Sequence, residues 1–360
     1  MQRREVIESE QPVNYALLSL FKYIASVLVI LVHCQRLFEH EALHFVQKSM
    51  FGRMAVPFFL ISSAYFFRVR WKREHGSTKL TLYIKGILKA YGFWSLVYLP
   101  YALTYFQSLH WPLYLAPLAI LAALFYIGMS YQLWYIPAFL LGLLLVHFLY
   151  RKLGPKKTFV LLLVLYALGA IETYHAYLAP SLLTDWYDTY AKLFFTSRNG
   201  LFYTPIFIYL GYFLADYEQI ALFQKKRWLS LLLASLFLAG EGILVYIRQG
   251  LDKNFFFALI PFTLFLFNWL LKTQWKREKN WRHLKDLSIL YFFLHPIFIE
   301  LSFFLLKSQQ LTKWENGRWA FLLTIILIHL TSELVIRWRG KKQKRSESLV
   351  FEENQIERYD

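Results

Sequence analysis

The sequence predicts an all-α integral membrane protein, a polytopic bundle of about ten transmembrane helices. Two observations support this class. Of the 360 residues, 57% are hydrophobic and 20% are aromatic, which exceeds the apolar content of ordinary soluble domains. Apolar runs long enough to cross a bilayer as helices also recur along the whole chain. A transmembrane β-barrel would instead show short segments of alternating hydrophobicity.

Ten segments have the length and apolar character of a membrane span. A further apolar stretch, residues 112–130, is interrupted by Pro112, Pro117 and Gly128, so we expect a re-entrant or interfacial segment there. The ten predicted spans lie at about residues 15–34, 53–70, 82–106, 133–150, 157–177, 200–217, 228–247, 254–272, 286–306 and 319–338.

The spans form one predicted membrane domain, residues 15–338. A polar cytoplasmic segment, residues 1–14, precedes it, and the first apolar run is too long for the core of a cleavable signal peptide. The cytoplasmic tail, residues 339–360, is basic and then acidic, which is typical of a disordered segment.

Positive charge is concentrated in alternate loops. Of the 40 Lys and Arg residues, 29 fall on one side of the predicted membrane and 10 on the other. The positive-inside rule then predicts that both termini are cytoplasmic. This distribution also explains the net charge of +17 without a nucleic-acid partner. The single cysteine, Cys34, excludes an intramolecular disulfide, and no Cys/His cluster has metal-binding spacing, so we expect no metal site.

The first span contains two ionisable side chains, Lys22 and His33. They are eleven positions apart, nearly three helical turns, so both project from one face about 16 Å apart along the axis. Ser26 lies between them on that face. Ionisable residues inside a span usually face the bundle interior, a cavity or a partner.

Further polar residues open other spans from the side where His33 lies. Arg53 opens the second span, Trp134 opens the fourth, and Arg198 with Asn199 opens the sixth. In the ninth span, Tyr291 and His295 precede Pro296, which should kink the helix. Six candidates come from five spans, and we expect all six to converge on one site: Lys22, His33, Arg53, Trp134, Arg198 and His295. Four of the six lie at or near the outer ends of their spans.

An ordinary structural role also fits each candidate. Trp134 suits an interfacial aromatic belt, and Arg53 and Arg198 suit anchors to outer-leaflet phosphates. Lys22 can reach the inner headgroups along its aliphatic stem. Two close pairs have spacings that allow pairing within one helix: Glu172 with His175, and His329 with Glu333.

Five sequence blocks, in this order, resemble the membrane acyltransferase-3 family: FKYIASVLVILVH, RMAVPFFLISSAYFF, QLWYIPAFLLG, SRNGLFYTPIFIYLG and LSILYFFLHP. The family includes bacterial O-acetyltransferases of cell-surface polysaccharides and the membrane portion of membrane-bound serine racemases. The resemblance covers about residues 15–306. The family pairs Arg with His in its first span at this same separation, and here Lys22 takes the Arg position. Lysine keeps the charge but lacks the planar fork of arginine.

The resemblance implies transfer of an acetyl group from cytoplasmic acetyl-CoA to a hydroxyl of an extracytoplasmic envelope polysaccharide. Acetyl-CoA is then a co-substrate, and no bound cofactor is expected. The expected partners are the lipid bilayer of the bacterial cytoplasmic membrane, acyl-CoA and the polysaccharide acceptor.

Transfer from a thioester to a hydroxyl needs a general base, donors for the developing oxyanion and exclusion of water. We assign His33 as base, Arg53 or Arg198 as oxyanion or substrate clamp, and Lys22 as a contact to the donor. Cys34 is a rival nucleophile, although adjacent helix positions point about 100° apart. The remaining predicted substrate or donor contacts are Ser26, Trp134, Asn199, Tyr291 and His295, and we expect His295 to shape the cavity floor away from the outer face.

A different class of function remains open. A carrier or sensor domain for a small solute, such as an amino acid, also gathers intramembrane charges and broken helices. The sequence shows no internal repeat and no matched pair of broken helices, which disfavours this class.

Overall fold

The computed structural model describes residues 13–73 and 77–356, with side chains given except at 77–79 and 342–356. These residues form helices joined by short loops, and no strand occurs among them. The predicted all-helical class is therefore confirmed. Most of the predicted N-terminal segment and the last four residues of the predicted tail lie outside the described residues.

The helices follow the predicted spans closely. Between α2 and α3 the chain forms one π-helical segment, Val46–Phe51, and the apolar stretch that precedes α7 is helical from Leu113 to Ile127. The α-helices are α1 Tyr15–His33, α2 Glu41–Phe45, α3 Gly52–Arg73, α4 Ser77–Val97, α5 Leu99–Ser108, α6 Ala116–Ala122, α7 Tyr135–Tyr174, α8 Leu182–Phe194, α9 Thr204–Tyr217, α10 Ala221–Gln224, α11 Arg227–Ile247, α12 Leu259–Lys272, α13 Arg282–Leu306 and α14 Lys313–Ile356.

Six helical segments of the described chain are long and apolar enough to cross a membrane. One of them, Tyr135–Tyr177, has 43 residues, or about 65 Å, which is twice the thickness of a bilayer core. Gly154 interrupts it with a φ of 71°, and Pro155 follows, so two predicted spans lie on either side of this break. Both α9 and α12 have only 14 residues. The number of ten crossings and the orientation of the termini remain predictions.

Two other differences from the prediction have local causes. The predicted span at residues 82–106 divides into α4 and α5 at Tyr98, because Pro100 starts a new helix within its first turn. The last helix continues to Ile356, whereas we predicted disorder from Arg339. Residues beyond Gly340 are rich in Lys, Glu and Gln and contain no proline, a composition that favours helix.

The core of the bundle lies around α3, which packs most extensively against α9 and also contacts α1 and α12. Gly211 of α9 allows this approach, since a Cβ there would lie 2.7 Å from the Ile61 carbonyl oxygen of α3. Small residues at helix contacts serve the same purpose in other membrane bundles.

The bundle has two distinct ends. At one end, called here the His33 end, α1 terminates and Arg53 pairs with Asp252 at 3.1 Å. At the opposite end, called here the Asp216 end, Arg68 pairs with Asp216 at 2.8 Å. Among the predicted site residues, Tyr291 lies at the depth of Lys22, because it packs against Tyr23, the residue that follows Lys22.

Candidate functional site

Three aromatic rings meet at the His33 end. The His33 ring lies 4.4 Å from the Tyr131 ring and 5.6 Å from the His295 ring, measured between centroids. These side chains come from α1, from the turn before α7 and from the middle of α13. The structure therefore brings two of the predicted residues together and adds Tyr131, which the sequence analysis did not single out.

Local backbone features place these rings. Gly128, with a φ of 86°, begins the turn that carries Tyr131, and a Cβ at this glycine would lie 2.5 Å from the Trp134 backbone nitrogen. Only glycine tolerates that approach, so the turn is specified locally. On α13, Pro296 has no N–H to give to the Phe292 carbonyl, which loosens the helix beside His295.

His295 lies beside His33 although it is near the middle of α13, and it lines neither of the two cavities described below. Its expected place at the cavity floor, away from the acceptor face, remains a prediction. His295 Nδ1 lies 3.0 Å from the Tyr291 carbonyl oxygen, which only accepts, so Nδ1 carries the hydrogen and Nε2 of the neutral ring is an acceptor. His295 Nε2 is buried and has no partner among the described residues.

Two arginines face the same region. Arg53, in the first turn of α3, pairs with Asp252 at 3.1 Å. Arg198, in the loop before α9, donates from Nη1 to Asn254 Oδ1 at 3.3 Å, and its guanidinium lies 4.6 Å from the centroid of the Trp134 ring. The Nε atoms of both arginines are buried without a hydrogen-bond partner in the part of the chain that the structure describes. Two unsatisfied donors at one place favour a site for an oxygen-rich ligand.

Asp252 balances part of this charge. Burial opposes its ionisation, but the charges of Arg53 and Arg198, together with hydrogen bonds from Lys253 and Asn254, lower the pKa of the Asp252 carboxyl below its ordinary value. Burial, and then the nearby Arg53 charge, lower the pKa of Arg198, although a guanidinium stays protonated at physiological pH. Arg198 makes no ion pair with a described residue, so its charge remains available to a ligand.

Two cavities border this cluster. The larger, of about 640 Å³, opens at the His33 end, and its polar lining includes Tyr131, Glu300, Lys307 and Asn316. The smaller, of about 50 Å³, lies deeper in the bundle. His33 is the residue that lines both cavities. The other lining residues of the smaller cavity are Val29, Val32, Gly52, Arg53, Val56, Phe59, Gln132, Trp134, Tyr135, Arg198, Tyr203 and Phe292.

Glu172 of α7 holds in place the two loops that carry Arg198 and Asp252. Its Oε2 accepts hydrogen bonds from the Ser197 backbone N–H at 2.8 Å and the Tyr187 hydroxyl at 2.9 Å, and its Oε1 accepts from Asn254 Nδ2. One carboxylate thus holds the loop that carries Arg198 and the loop that follows Asp252. Glu172 thus bonds outside its own helix turn, and the pairing with His175 that its spacing allowed is not its role here.

His175, His329 and Glu333 also bond to side chains outside the close pairs that their spacing allowed. His175 lies 3.1 Å from Asp188. His329 bonds through Nδ1 to the Tyr291 hydroxyl at 3.1 Å, and Glu333 lies 2.5 Å from His283. Each of these side chains bonds to a residue on another helix or more than one turn away. Packing between helices competes with the weak contacts that residues within one helix can make.

Asn199 and Tyr291 have all their polar atoms engaged within the protein. Asn199 Oδ1 accepts from the backbone N–H groups of Leu201 and Phe202, and its amide nitrogen donates to two tyrosine hydroxyls. The fully buried Tyr291 bonds to the Tyr23 hydroxyl at 3.3 Å as well as to His329. Neither residue lines the two cavities, so their substrate contacts remain predictions that this geometry does not favour.

Lys22 and Ser26 lie apart from the cluster. Lys22 Nζ is 5.3 Å from the centroid of the Phe66 ring, and Ser26 Oγ donates to the Tyr23 carbonyl oxygen at 2.7 Å. Cys34 follows His33 at the end of α1, and its side chain is fully buried within the protein. The thiol lines neither cavity, which disfavours it as a nucleophile.

Comparisons with known proteins give a family and three relatives. A family model described as an acyltransferase domain matches residues 15–337. A serine/alanine racemase of Enterococcus gallinarum is 30% identical over 85% of this chain and 44% of the relative. Two amino-acid racemases of Enterococcus faecalis are 28% and 26% identical, over 75% and 93% of this chain and 37% and 48% of the relatives. The chain thus spans less than half the length of these curated relatives. No solved structure matches it.

Proposed function

Because the chain belongs to the acyltransferase-3 family, we propose that it is a membrane O-acyltransferase. It would move an acetyl group from cytoplasmic acetyl-CoA, a co-substrate, to a hydroxyl of an extracytoplasmic envelope polysaccharide in the bacterial cytoplasmic membrane. One observation supports this most directly: His33 lines both an open polar cavity and a small cavity that two arginines border. A base placed between an acceptor space and a donor space suits group transfer.

The chemistry divides among named groups. The acceptor hydroxyl enters the larger cavity and gives its proton to His33 as its oxygen bonds to the acyl carbon. The Nε–H groups of Arg53 and Arg198 stabilise the negative charge that develops on the carbonyl oxygen. The carbon–sulfur bond of the thioester then breaks, and the proton passes from His33 to the CoA sulfur. Lys22, nearer the Asp216 end, is our candidate contact for the donor.

The topology that fits this reaction has ten crossings, cytoplasmic termini and the His33 end outside. Contacts at both ends support it, because they join helix ends that such a path brings to the same side. At the Asp216 end Lys272 of α12 lies 2.9 Å from Glu218, just beyond α9. At the His33 end Arg318 of α14 donates to the Leu37 carbonyl oxygen at 2.7 Å.

Reporters fused after Asp360 should show that the C-terminus is cytoplasmic, because the Lys and Arg residues accumulate on the side of the tail. Alkaline phosphatase, active only outside, and green fluorescent protein, fluorescent only inside, would be fused separately. The same reporters placed after Gln309, in the loop between α13 and α14, serve as the opposite control. Phosphatase activity of the Asp360 fusion would contradict the orientation.

A second function has specific support from the relatives. They are named as amino-acid racemases, and two guanidinium groups beside apolar walls also suit an amino-acid carboxylate and its short side chain. In this second candidate, the chain is a carrier or sensor domain for a small amino acid. The same cavity residues would then bind the solute without transferring a group.

Inverted membrane vesicles can separate the two functions. Radiolabelled acetyl-CoA supplied outside such vesicles reaches the original cytoplasmic face, and we expect the label in lumenal polysaccharide only when the protein is present. Counterflow of labelled serine and alanine would be followed in the same vesicles. Amino-acid exchange without acetyl transfer, lost in His33→Ala and in Lys22→Ala, would overturn the transferase and favour the carrier. Lys22→Arg should keep acetyl transfer, because it retains the charge.

A further inference from the structure

We propose that the groove between α3 and α4 near the Asp216 end binds one anionic phospholipid, with its acyl chain along the groove and its headgroup at Arg70. This inference does not depend on the reaction proposed at the His33 end, because the groove lies at the other end of the bundle.

The groove is a cavity of about 480 Å³. Its lining residues on α3 are Phe67, Arg70 and Trp71, and Arg70 lies in the last turn of that helix. On α4 the lining extends from Leu82 to Ala90, about 12 Å along the helix axis. The groove thus starts at the Asp216 end and follows α4 into the bundle.

Three aromatic rings pack together along the groove. The Phe67 ring lies 5.0 Å from the Tyr83 ring and 5.9 Å from the Trp71 ring, measured between centroids. Trp71 in turn packs against His147 of α7 at 4.7 Å, which fixes this wall. Among the described residues that line the groove, Arg70 alone is charged. Such a lining buries a hydrocarbon chain favourably, whereas the polar groups of a nucleotide would find few partners there.

No described side chain fills the groove beside Gly86. A Cβ added at Gly86 would have no heavy atom within 4 Å apart from those of its own helix, and Leu82, one turn earlier, is 58% exposed. The predicted membrane span at residues 82–106 includes this part of α4, and the molecules around an exposed helix in a membrane are lipids. An acyl chain in the groove restores the dispersion contacts that an empty apolar space forfeits.

The sequence around the groove carries an excess of positive charge. From Arg68 to Lys89 it contains seven Lys and Arg residues and a single acidic residue. Arg68 and Lys72 both pair with Asp216, at 2.8 and 3.5 Å. Lys85 and Lys89 are exposed and make no ion pair with a described residue. Basic residues beside a groove between membrane helices attract an anionic headgroup, so the charge favours an anionic lipid over a neutral one.

The polarity of the groove orients the lipid. Arg70 lies at the Asp216 end, and a guanidinium can bond to two phosphate oxygens at once. The opposite end of α4 lies deep in the bundle, because the Tyr98 hydroxyl that follows it donates to the Phe293 carbonyl oxygen at 2.5 Å, close to His295. A headgroup at Arg70 and a chain directed toward Ala90 therefore follow the direction of a lipid in the leaflet at the Asp216 end.

Native mass spectrometry of the full-length protein tests this site. The purified protein in detergent would be mixed with phosphatidylglycerol, which is anionic, or with phosphatidylethanolamine of the same acyl chains, which has no net charge. We expect one tightly retained phosphatidylglycerol per protein, bound at least about fivefold more tightly than phosphatidylethanolamine. Arg70→Gln should weaken phosphatidylglycerol binding about fivefold, the effect of one basic contact, and leave phosphatidylethanolamine binding nearly unchanged.

Gly86→Leu tests the groove itself. The leucine side chain enters the open space and displaces about two methylene groups of the acyl chain, which should weaken binding of both lipids roughly tenfold. Leucine favours helix more than glycine does, so α4 should remain folded. Gly92→Leu is the matched control, because a Cβ at Gly92 also meets open space but this glycine does not line the groove. Its lipid binding should equal that of the wild type.

Four results would overturn the lipid site. The first is equal retention of the two lipids by the wild type, and the second is unchanged binding in Gly86→Leu. The third is an equal loss in Gly86→Leu and Gly92→Leu, which would indicate a general disturbance of α4. The fourth is displacement of phosphatidylglycerol by added acetyl-CoA, which would assign the groove to the nucleotide of the donor.

Discussion

His33→Ala should lower acetyl transfer by roughly 10²–10⁴-fold, the usual contribution of a positioned general base. The variant should still fold, because His33 is the last residue of α1 and is only partly buried. The rate of label transfer into lumenal polysaccharide would be measured in inverted vesicles, normalised to the amount of protein in the membrane.

His40→Ala is the matched control, because His40 lies at the same end of the bundle, is exposed and makes no side-chain hydrogen bond as the cap of α2. It should keep the full rate. His295→Ala completes the experiment, since His295 lies beside His33 and its Nε2 has no hydrogen-bond partner among the described residues. If His295→Ala abolished transfer while His33→Ala kept it, the role of base would belong to His295.

Arg198→Lys should lower the rate by roughly 10²–10³-fold, the cost of removing one donor to a developing oxyanion. Lysine keeps the positive charge but has no Nε–H in a fixed fork and no planar face to stack on Trp134. The loss should appear in the maximal rate more than in the acetyl-CoA concentration that gives half of it, because the lost interaction forms in the transition state.

Arg248→Lys supplies the control for this change. Arg248 also lies over an aromatic ring, 5.6 Å from the centroid of Tyr177, but it lines neither cavity. Its variant should transfer at the normal rate. An equal loss in both variants would indicate that arginine stacking stabilises the fold generally, and an unchanged rate in Arg198→Lys would remove Arg198 from the site.

Hydrophobic length predicted the positions of helices well. The span expected at residues 228–247 is α11, Arg227–Ile247, and the span expected at residues 15–34 is α1. A long apolar run predicts a helix strongly, because few other structures satisfy the backbone hydrogen bonds of such a run inside a membrane. The breaks are harder to predict, since a proline such as Pro100 ends a helix in one place whereas Pro57 stays inside α3 in another.

The candidate site was predicted only in part. His33, Arg53, Trp134 and Arg198 are brought together because each lies toward the same end of its helix or in the adjoining loop, and His295 reaches them from the middle of α13. Lys22 shares a helix face with His33 but not its surroundings, since a shared face does not imply a shared depth. The sequence analysis did not single out Tyr131 or Asp252, and it noted Glu172 without its role, because these roles depend on loop conformation and on contacts between distant segments.

The convergence on Glu172 has a consequence for the dynamics of the His33 end. The loop residues Ser197 and Asn254, 25 and 82 positions away, bond to one carboxylate, and the Leu251 backbone N–H donates to the Glu172 carbonyl oxygen at 2.9 Å. Neither loop can open alone without leaving buried polar atoms unpaired, which is costly. Both loops are therefore anchored to α7 through one residue, and opening either loop breaks buried hydrogen bonds to Glu172.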